Sequence, residues 1–284
     1  MKGASSGLVA PLSQRAIHAA RRLSYGALRT KRELPTYFIV GAKRAGTTSL
    51  NEYIVGHPDV LRGLVVKGSR FFDINYHRGP SWFNRTLVPA SQIDRIEKEA
   101  GVRPIYGESS PYYCFHPEAT ARIAQRVPDA RLIFLLREPA TRAWSHYRYE
   151  VARGFEELPF LQAVEAEPTR LGQLDETKRD FSHRHHSYVS RSQYADQVAR
   201  LHRHFDPKQI LILESESLFE HPGETMDRVF EHLGLRPYDA ATYRPFKQNI
   251  REEIPEEAVE ALAGHFDDSN AWLRQRVTPV PTWL

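Results

Sequence analysis

The sequence predicts an α/β fold of P-loop type, a central and mainly parallel β-sheet with helices on both faces. Three observations predict it. Strand-like apolar runs alternate with helical patterns along the 284 residues, the signature of repeated βαβ units. A strand over 36–41 runs into Gly41-Ala-Lys-Arg-Ala-Gly46-Thr47-Thr48 and then a helix, the strand–turn–helix layout that cradles phosphates. The apolar run 131–136 ends in Arg137, so both anion-seeking segments fall at carboxyl ends of strands, where such sheets bind ligands.

Residues 1–33 are basic and rich in Ala and Ser, and are set apart as an N-terminal arm ahead of a domain over 34–284. Ala16, Ile17, Ala20 and Leu23 share one helical face opposite several cations, so the arm is either a surface helix with peripheral membrane contact or a cover for the core. After the first strand come a helix over 47–56, a short strand near 63–66 and a strand near 104–108. A helix over 116–126, the strand 131–136, a helix over 140–152 and a helical stretch 156–166 follow. Residues 167–187 read as a long polar loop, a feature often functional in compact domains. A helix over 188–205 and a strand over 209–213 come next, and helices near 222–234, 255–264 and 268–275 close the chain. The sequence holds no internal repeat and no low-complexity tract.

Composition narrows the function. Apolar residues at 41% and charged residues at 26% are ordinary for a soluble globular protein. With 39 basic and 35 acidic residues the net charge is +4, too mild for nucleic acid, whose binders concentrate charge on a stripe. It suits a polyanionic nucleotide and an acidic glycan in one cleft. Cys114 is the only cysteine, which excludes an internal disulfide and points to a reducing compartment. No apolar run reaches the ~18 residues of a membrane span. Gly7 to Leu12 is short, broken by Pro11 and followed by Arg15, Arg21 and Arg22, so no signal-peptide core is expected. A cytoplasmic, bacterial-type protein is the expectation; the oligomeric state is left open.

The glycine loop departs from the nucleotide-hydrolysing pattern G-x-x-x-x-G-K-[ST], whose Lys follows the second Gly and reaches the β/γ-phosphates. Thr47 holds that position here, and the positive charge has moved back to Lys43 and Arg44. Backbone N–H groups and the helix N-terminus still suit a phosphate-like group, with Gly46 allowing close approach. The candidate set is Lys43, Arg44, Ala45, Gly46, Thr47, Thr48 and Ser49. A hydrolytic relative would be expected to end a neighbouring strand in Asp to hold Mg²⁺. Arg137 stands there instead and Ser145 lies eight residues on, a cation and a hydroxyl suited to a second phosphate. Metal is not expected.

These two motifs resemble the sulfotransferases that use 3′-phosphoadenosine 5′-phosphosulfate (PAPS). The resemblance implies that the loop holds the 5′-phosphosulfate and that Arg137 and Ser145 hold the 3′-phosphate, with adenosine 3′,5′-bisphosphate (PAP) as product. Val66-Lys67-Gly-Ser-Arg70-Phe71-Phe72-Asp73, the stretch Asn75 to Phe83 and Tyr106-Gly107-Glu108-Ser-Ser-Pro111 are similar to the carbohydrate, heparan-type branch. Ser192-Gln-Tyr194-Ala resembles the segment near the adenosine. The similarity spans roughly 36–275 and implies a carbohydrate or small-molecule acceptor.

By the same resemblance Arg44 replaces the lysine beside the bridging oxygen. Arg holds charge bidentately but does not act as a general acid, so electrostatics should dominate there. The branch's glutamate base is Gly68 here, and a later lysine is Ser109. Lys67, Asp73 and Glu108 join Arg44 as catalytic candidates, with His77 as a third option for the base. A carboxylate or imidazole near the acceptor contributes about 10²–10⁴-fold. Arg142 reads as part of a structural ion pair. Trp82, Tyr112, Tyr113 and Trp144 are candidates for stacking on sugar rings, with core packing the default for Trp144. His183, His185 and His186 lack the carboxylate partners and helical context of a metal site and read as a solvated loop beside the acceptor groove. Two rivals stand beside the enzyme reading: a sulfotransferase-like protein that binds nucleotide without catalysis, and a P-loop kinase or NTPase.

Overall fold

The computed structural model describes residues 31–65, 68–172, 181–240, 243 and 253–284. The amphipathic stretch of the N-terminal arm, Lys67 and positions 173–180 of the long polar loop lie outside the described residues.

Among the described residues four strands form one parallel sheet: β1 (Tyr37–Gly41), β2 (Gly107–Ser109), β3 (Arg131–Leu136) and β4 (Ile210–Glu214), in the order β2-β1-β3-β4. Strands β1 and β3 are central, and their apolar side chains are buried throughout, as expected where helices cover a parallel sheet. The helices are α1 (Thr47–Ile54), α2 (Gly79–Asn84), α3 (Ala90–Ala100), α4 (Ala119–Arg126), α5 (Pro139–Val151), α6 (Phe160–Gly172), α7 (Phe181–His185), α8 (Tyr194–His204), α9 (Ser215–Glu220), α10 (Pro222–Leu233), α11 (Glu256–Leu262) and α12 (Asp267–Arg274).

One apolar core joins β1, β3 and β4 to α1, α4, α8, α10 and α12. A second core, built on Ala143, Phe160, Ala163, Tyr188 and Leu262, ties α5 to α6 and α11. The start of α5 is specified twice over. Pro139 at its first turn has the right φ and no N–H to orphan, and the Glu138 carboxylate accepts from the N–H groups of Ala140 at 2.9 Å and Thr141 at 2.6 Å.

Sheet order positions the site. Residue Ile39 of β1 pairs with Ile133 of β3, so the turn after β1 and Arg137 after β3 emerge side by side. The Ala42 N–H reaches across to the Leu135 carbonyl at 2.8 Å.

Some predicted elements differ. Residues 63–65 form no strand; a lone parallel bridge joins Val60 to Ile105 instead. The strand near 104–108 is three residues long and starts at Gly107, whose missing Cβ makes room for the Tyr37 ring. Helix α8 starts at Tyr194, after a 3₁₀ turn over Ser190–Ser192. The polar loop is partly helical, since α6 runs to Gly172 and α7 covers 181–185. Among the described residues no helix is long and apolar enough to cross a membrane.

Candidate active site

The glycine loop is held open by backbone geometry. Gly46 adopts φ 94° at the head of α1, and a Cβ there would sit 2.8 Å from the Phe219 ring. Both facts restrict the position to glycine. Arg44 also has positive φ, 75°, which turns its side chain back onto α5. Its Nε donates to the Ser145 hydroxyl at 3.1 Å, and its guanidinium lies 4.7 Å over the Tyr149 ring. Arg137, buried behind it, donates from Nη1 to the Arg44 carbonyl at 3.1 Å. The two predicted anion motifs therefore meet.

Tyr194 supports Arg137. Fully buried, its hydroxyl donates to the Arg137 carbonyl at 2.8 Å and accepts from the Arg137 N–H at 3.4 Å. It holds the backbone of the cation and packs edge-on against Phe134. Ala45 and Ser49 are buried beneath the loop.

Lys43 points elsewhere. Its ammonium donates to Glu150, to His146 Nε2 at 2.7 Å and to the Arg184 carbonyl at 3.1 Å, which uses all three of its protons. The Glu150 side chain is fully buried and also meets His185 Nδ1 at 2.8 Å and Arg153 at 3.4 Å. Burial alone would raise the Glu150 pKa, but its contacts with the His146 and His185 rings and the Lys43 charge hold it far below the usual carboxylate range. Burial, then the nearby Arg191 charge, pulls the Lys43 pKa down while Glu150 pulls it back.

A cavity of about 440 Å³ opens in front of the loop. Lys43, Arg44, Thr47 and Thr48 line one side; Gly68, Arg70, Ser109, Ser110, Pro111, Tyr112, Tyr149, Arg153, Arg184, His185 and Arg191 line the rest. Six of these residues are Lys or Arg and none is Asp or Glu. A low-dielectric pocket of one sign concentrates anions.

The candidate bases stand behind this wall. The Glu108 carboxylate, 6% exposed, accepts from the Ser69 N–H and the Tyr113 hydroxyl, each at 3.2 Å. Burial pushes its pKa up, and the Asp73 charge adds to this. Asp73, 4% exposed, is gripped by Arg70 at 2.9 and 3.2 Å. Burial raises its pKa too, against the lowering pull of Arg70. Gly68, next to both segments, has φ 138°, and a Cβ there would meet the Ser110 hydroxyl at 2.8 Å. A glutamate at 68 is therefore strained in this backbone. His77, in the 3₁₀ turn Tyr76–Arg78, does not line the cavity.

Two expectations are corrected. The histidines are not solvated: His183 Nδ1 pairs with the Tyr112 hydroxyl at 2.6 Å, His185 with Glu150, and His186 Nε2 with the Phe155 carbonyl at 2.8 Å. They diverge, and among the described residues no group of three His, Cys, Asp or Glu is placed to hold a metal. Arg142 makes no structural ion pair among the described residues; its fully buried guanidinium bonds the Ser192 hydroxyl and the Lys43 and Tyr188 carbonyls. Trp144 packs on Phe160 and Tyr147, as the default had it.

Sequence reasoning missed Arg70, Tyr149, Arg153, Arg184 and Arg191 as cavity residues. For two of them a signal existed. Tyr149 and Arg153 follow Ser145 at i+4 and i+8, the spacing of one helix face. Arg184 and Arg191 sit in a stretch read as loop and helix start, without a pattern to mark them.

Comparisons with known proteins agree with this architecture. The family model for the sulfotransferase domain matches residues 34–259. The chain is 30% identical over 205 residues to heparan sulfate glucosamine 3-O-sulfotransferase 3B1 of Mus musculus, covering 72% of this chain and 47% of that protein. It is 27% identical over 288 residues to the bifunctional heparan sulfate N-deacetylase/N-sulfotransferase 3 of Homo sapiens, covering 88% of this chain and 31% of that protein. The chain thus spans about half the length, or less, of these curated relatives. Among solved structures, a sulfotransferase from Alicyclobacillus acidocaldarius superposes with a TM-score of 0.65 at 25% identity, covering 86% of this chain and 95% of that one. Matched from ahead of β1 into α11, the chain belongs to the sulfotransferase family.

Proposed function

We propose that this enzyme moves a sulfuryl group from PAPS to a hydroxyl or amine of a carbohydrate acceptor. The observation that carries the reading is the junction of Arg44, Ser145 and Arg137, linked by hydrogen bonds of 3.1 Å. A donor bearing phosphate at both ends of its ribose needs two anion grips side by side, and the β1–β3 pairing supplies them. In this reading the 5′-phosphosulfate lies on the N–H groups of the glycine loop and Thr47 and Thr48. Arg137 and Ser145 take the 3′-phosphate. Arg44 then leaves Ser145 for the bridging oxygen, where charge grows as the S–O bond breaks and PAP departs.

The acceptor oxygen or nitrogen forms the new bond to sulfur, and its proton passes to a carboxylate. Glu108 and Asp73 are the candidates, because burial raises both pKa values toward neutrality and makes each a stronger base. The heparan sulfate relatives and the cationic cavity favour an acidic saccharide as acceptor.

A second reading has an observation of its own. Among the described residues no carboxylate lines the cavity, which favours a nucleotide-binding protein without turnover. One experiment separates the two: incubation with ³⁵S-labelled PAPS and N-sulfated heparosan oligosaccharides, following label transfer and PAP release. Transfer that depends on acceptor supports the enzyme. PAP binding without transfer to any saccharide or small alcohol would leave the binding protein, and ATP binding in place of PAP would revive the kinase reading.

A further inference from the structure

Arg191 lines the cavity yet is only 1% exposed. Its guanidinium lies 4.9 Å over the Tyr112 ring and 4.7 Å over the Phe115 ring. One terminal nitrogen donates to the carbonyls of His183 at 2.8 Å and Arg184 at 3.5 Å. Nε is buried with no hydrogen-bond partner among the described residues. Every side-chain hydrogen bond it makes among the described residues therefore goes to a neutral oxygen.

A buried cation without a counter-ion is costly, and proteins pair such charges or leave them to a ligand. The charges around Arg191 make the cost worse. Burial pushes its pKa down to about 10, and the Arg142 and Arg70 guanidiniums push the same way. Lys43 shares the Arg184 carbonyl with it, but Glu150 neutralises Lys43 and not Arg191. Among the described residues six basic side chains and no acid line the space in front.

We infer that Arg191 is a substrate-binding residue that takes an oxyanion, the sulfuryl group of the donor or an acidic group of the acceptor, into the cavity. The site is preformed: two aromatic faces and two carbonyls fix the guanidinium in the cavity wall. The inference rests on the donor and acceptor classes proposed above.

Calorimetry on the wild type, Arg191→Met and Arg191→Lys tests it with three probes: PAP, PAPS, and a sulfated heparan hexasaccharide added to PAP-loaded protein. PAP affinity stays within about twofold in both variants, since PAP lacks the sulfuryl group. In Arg191→Met one of the other two probes weakens by about ten- to a hundredfold, the worth of a charge-assisted hydrogen bond. Arg191→Lys recovers part of it and serves alone if the Met variant does not fold. Loss confined to PAPS assigns the donor's sulfuryl group; loss confined to the hexasaccharide assigns the acceptor's acid group. Unchanged affinity for both in the folded variants would overturn the inference, and so would a PAP loss equal to the PAPS loss. If the wild type bound no PAP, the donor reading would fall, and the hexasaccharide added to unliganded protein would still test Arg191.

Discussion

Lys43 and Arg191 are two cations that donate to one carbonyl, that of Arg184, and they are treated in opposite ways. The glycine loop neutralises its lysine internally, through a fully buried Glu150 that also binds His185. The facing wall leaves its arginine stacked on aromatics with no acid bound to it among the described residues. A loop that must keep one shape is braced by its own counter-ion. A wall that must receive an anion is better left short of one, since an internal carboxylate would compete with the ligand.

The strongest way to sharpen this contrast is to ask which acid behind the wall takes the proton. Glu108→Gln or Asp73→Asn, but not both equally, is expected to lower turnover by about 10²–10⁴-fold with PAP affinity unchanged. In the wild type, turnover should fall as pH drops through the raised pKa of that group, because the base must be ionised. Equal, small effects from the two variants would place the base elsewhere.

The bracing itself is tested by Glu150→Gln, which strands the Lys43 ammonium in a buried site. A loss of about 3–5 kcal/mol in urea unfolding is expected for breaking a buried pair from one side. The folded-state pKa of Glu150 is depressed, so its contribution is present above the unfolded value of about 4.3 and is lost as pH falls below that. Stability unchanged by the substitution and flat between neutral and acid pH would break the contrast.

Arg137→Ala addresses the second grip. PAP affinity should weaken by about 1.5–3 kcal/mol, the range for a hydrogen bond to a charged group. An unchanged dissociation constant for PAP in calorimetry would remove Arg137 from the nucleotide site.

Much of the sheet was legible in the sequence because its signals are local. Apolar runs and a glycine turn mark β1 and β3, and the observed strand Arg131–Leu136 matches the predicted one. The Lys43 and Arg44 positions were equally plain, but not their directions. Whether Lys43 faces ligand or protein depends on Glu150, more than a hundred residues away, and no local pattern carries that. The helix α3 was missed although Ile93, Ile96 and Ala100 fall at helical spacing; of its residues Ala90 and Ile93 are buried. The histidines at 183, 185 and 186 looked solvated because polar sequence is read as surface. Here Glu150, Tyr112 and the Phe155 carbonyl supply the partners that let them be covered.

The order β2-β1-β3-β4 has a consequence for how such a fold changes. The turn after β1 and the arginine after β3 are locked together by the sheet's own ladder, whereas Arg70 comes from the β1–β2 connection and Arg153, Arg184 and Arg191 from the β3–β4 connection. Those connections can lengthen, shorten or exchange side chains without sliding any strand against its neighbour. Variation of the cavity wall is thereby uncoupled from retention of the glycine turn, and a designer grafting new connections would start from a scaffold whose central register needs no redesign.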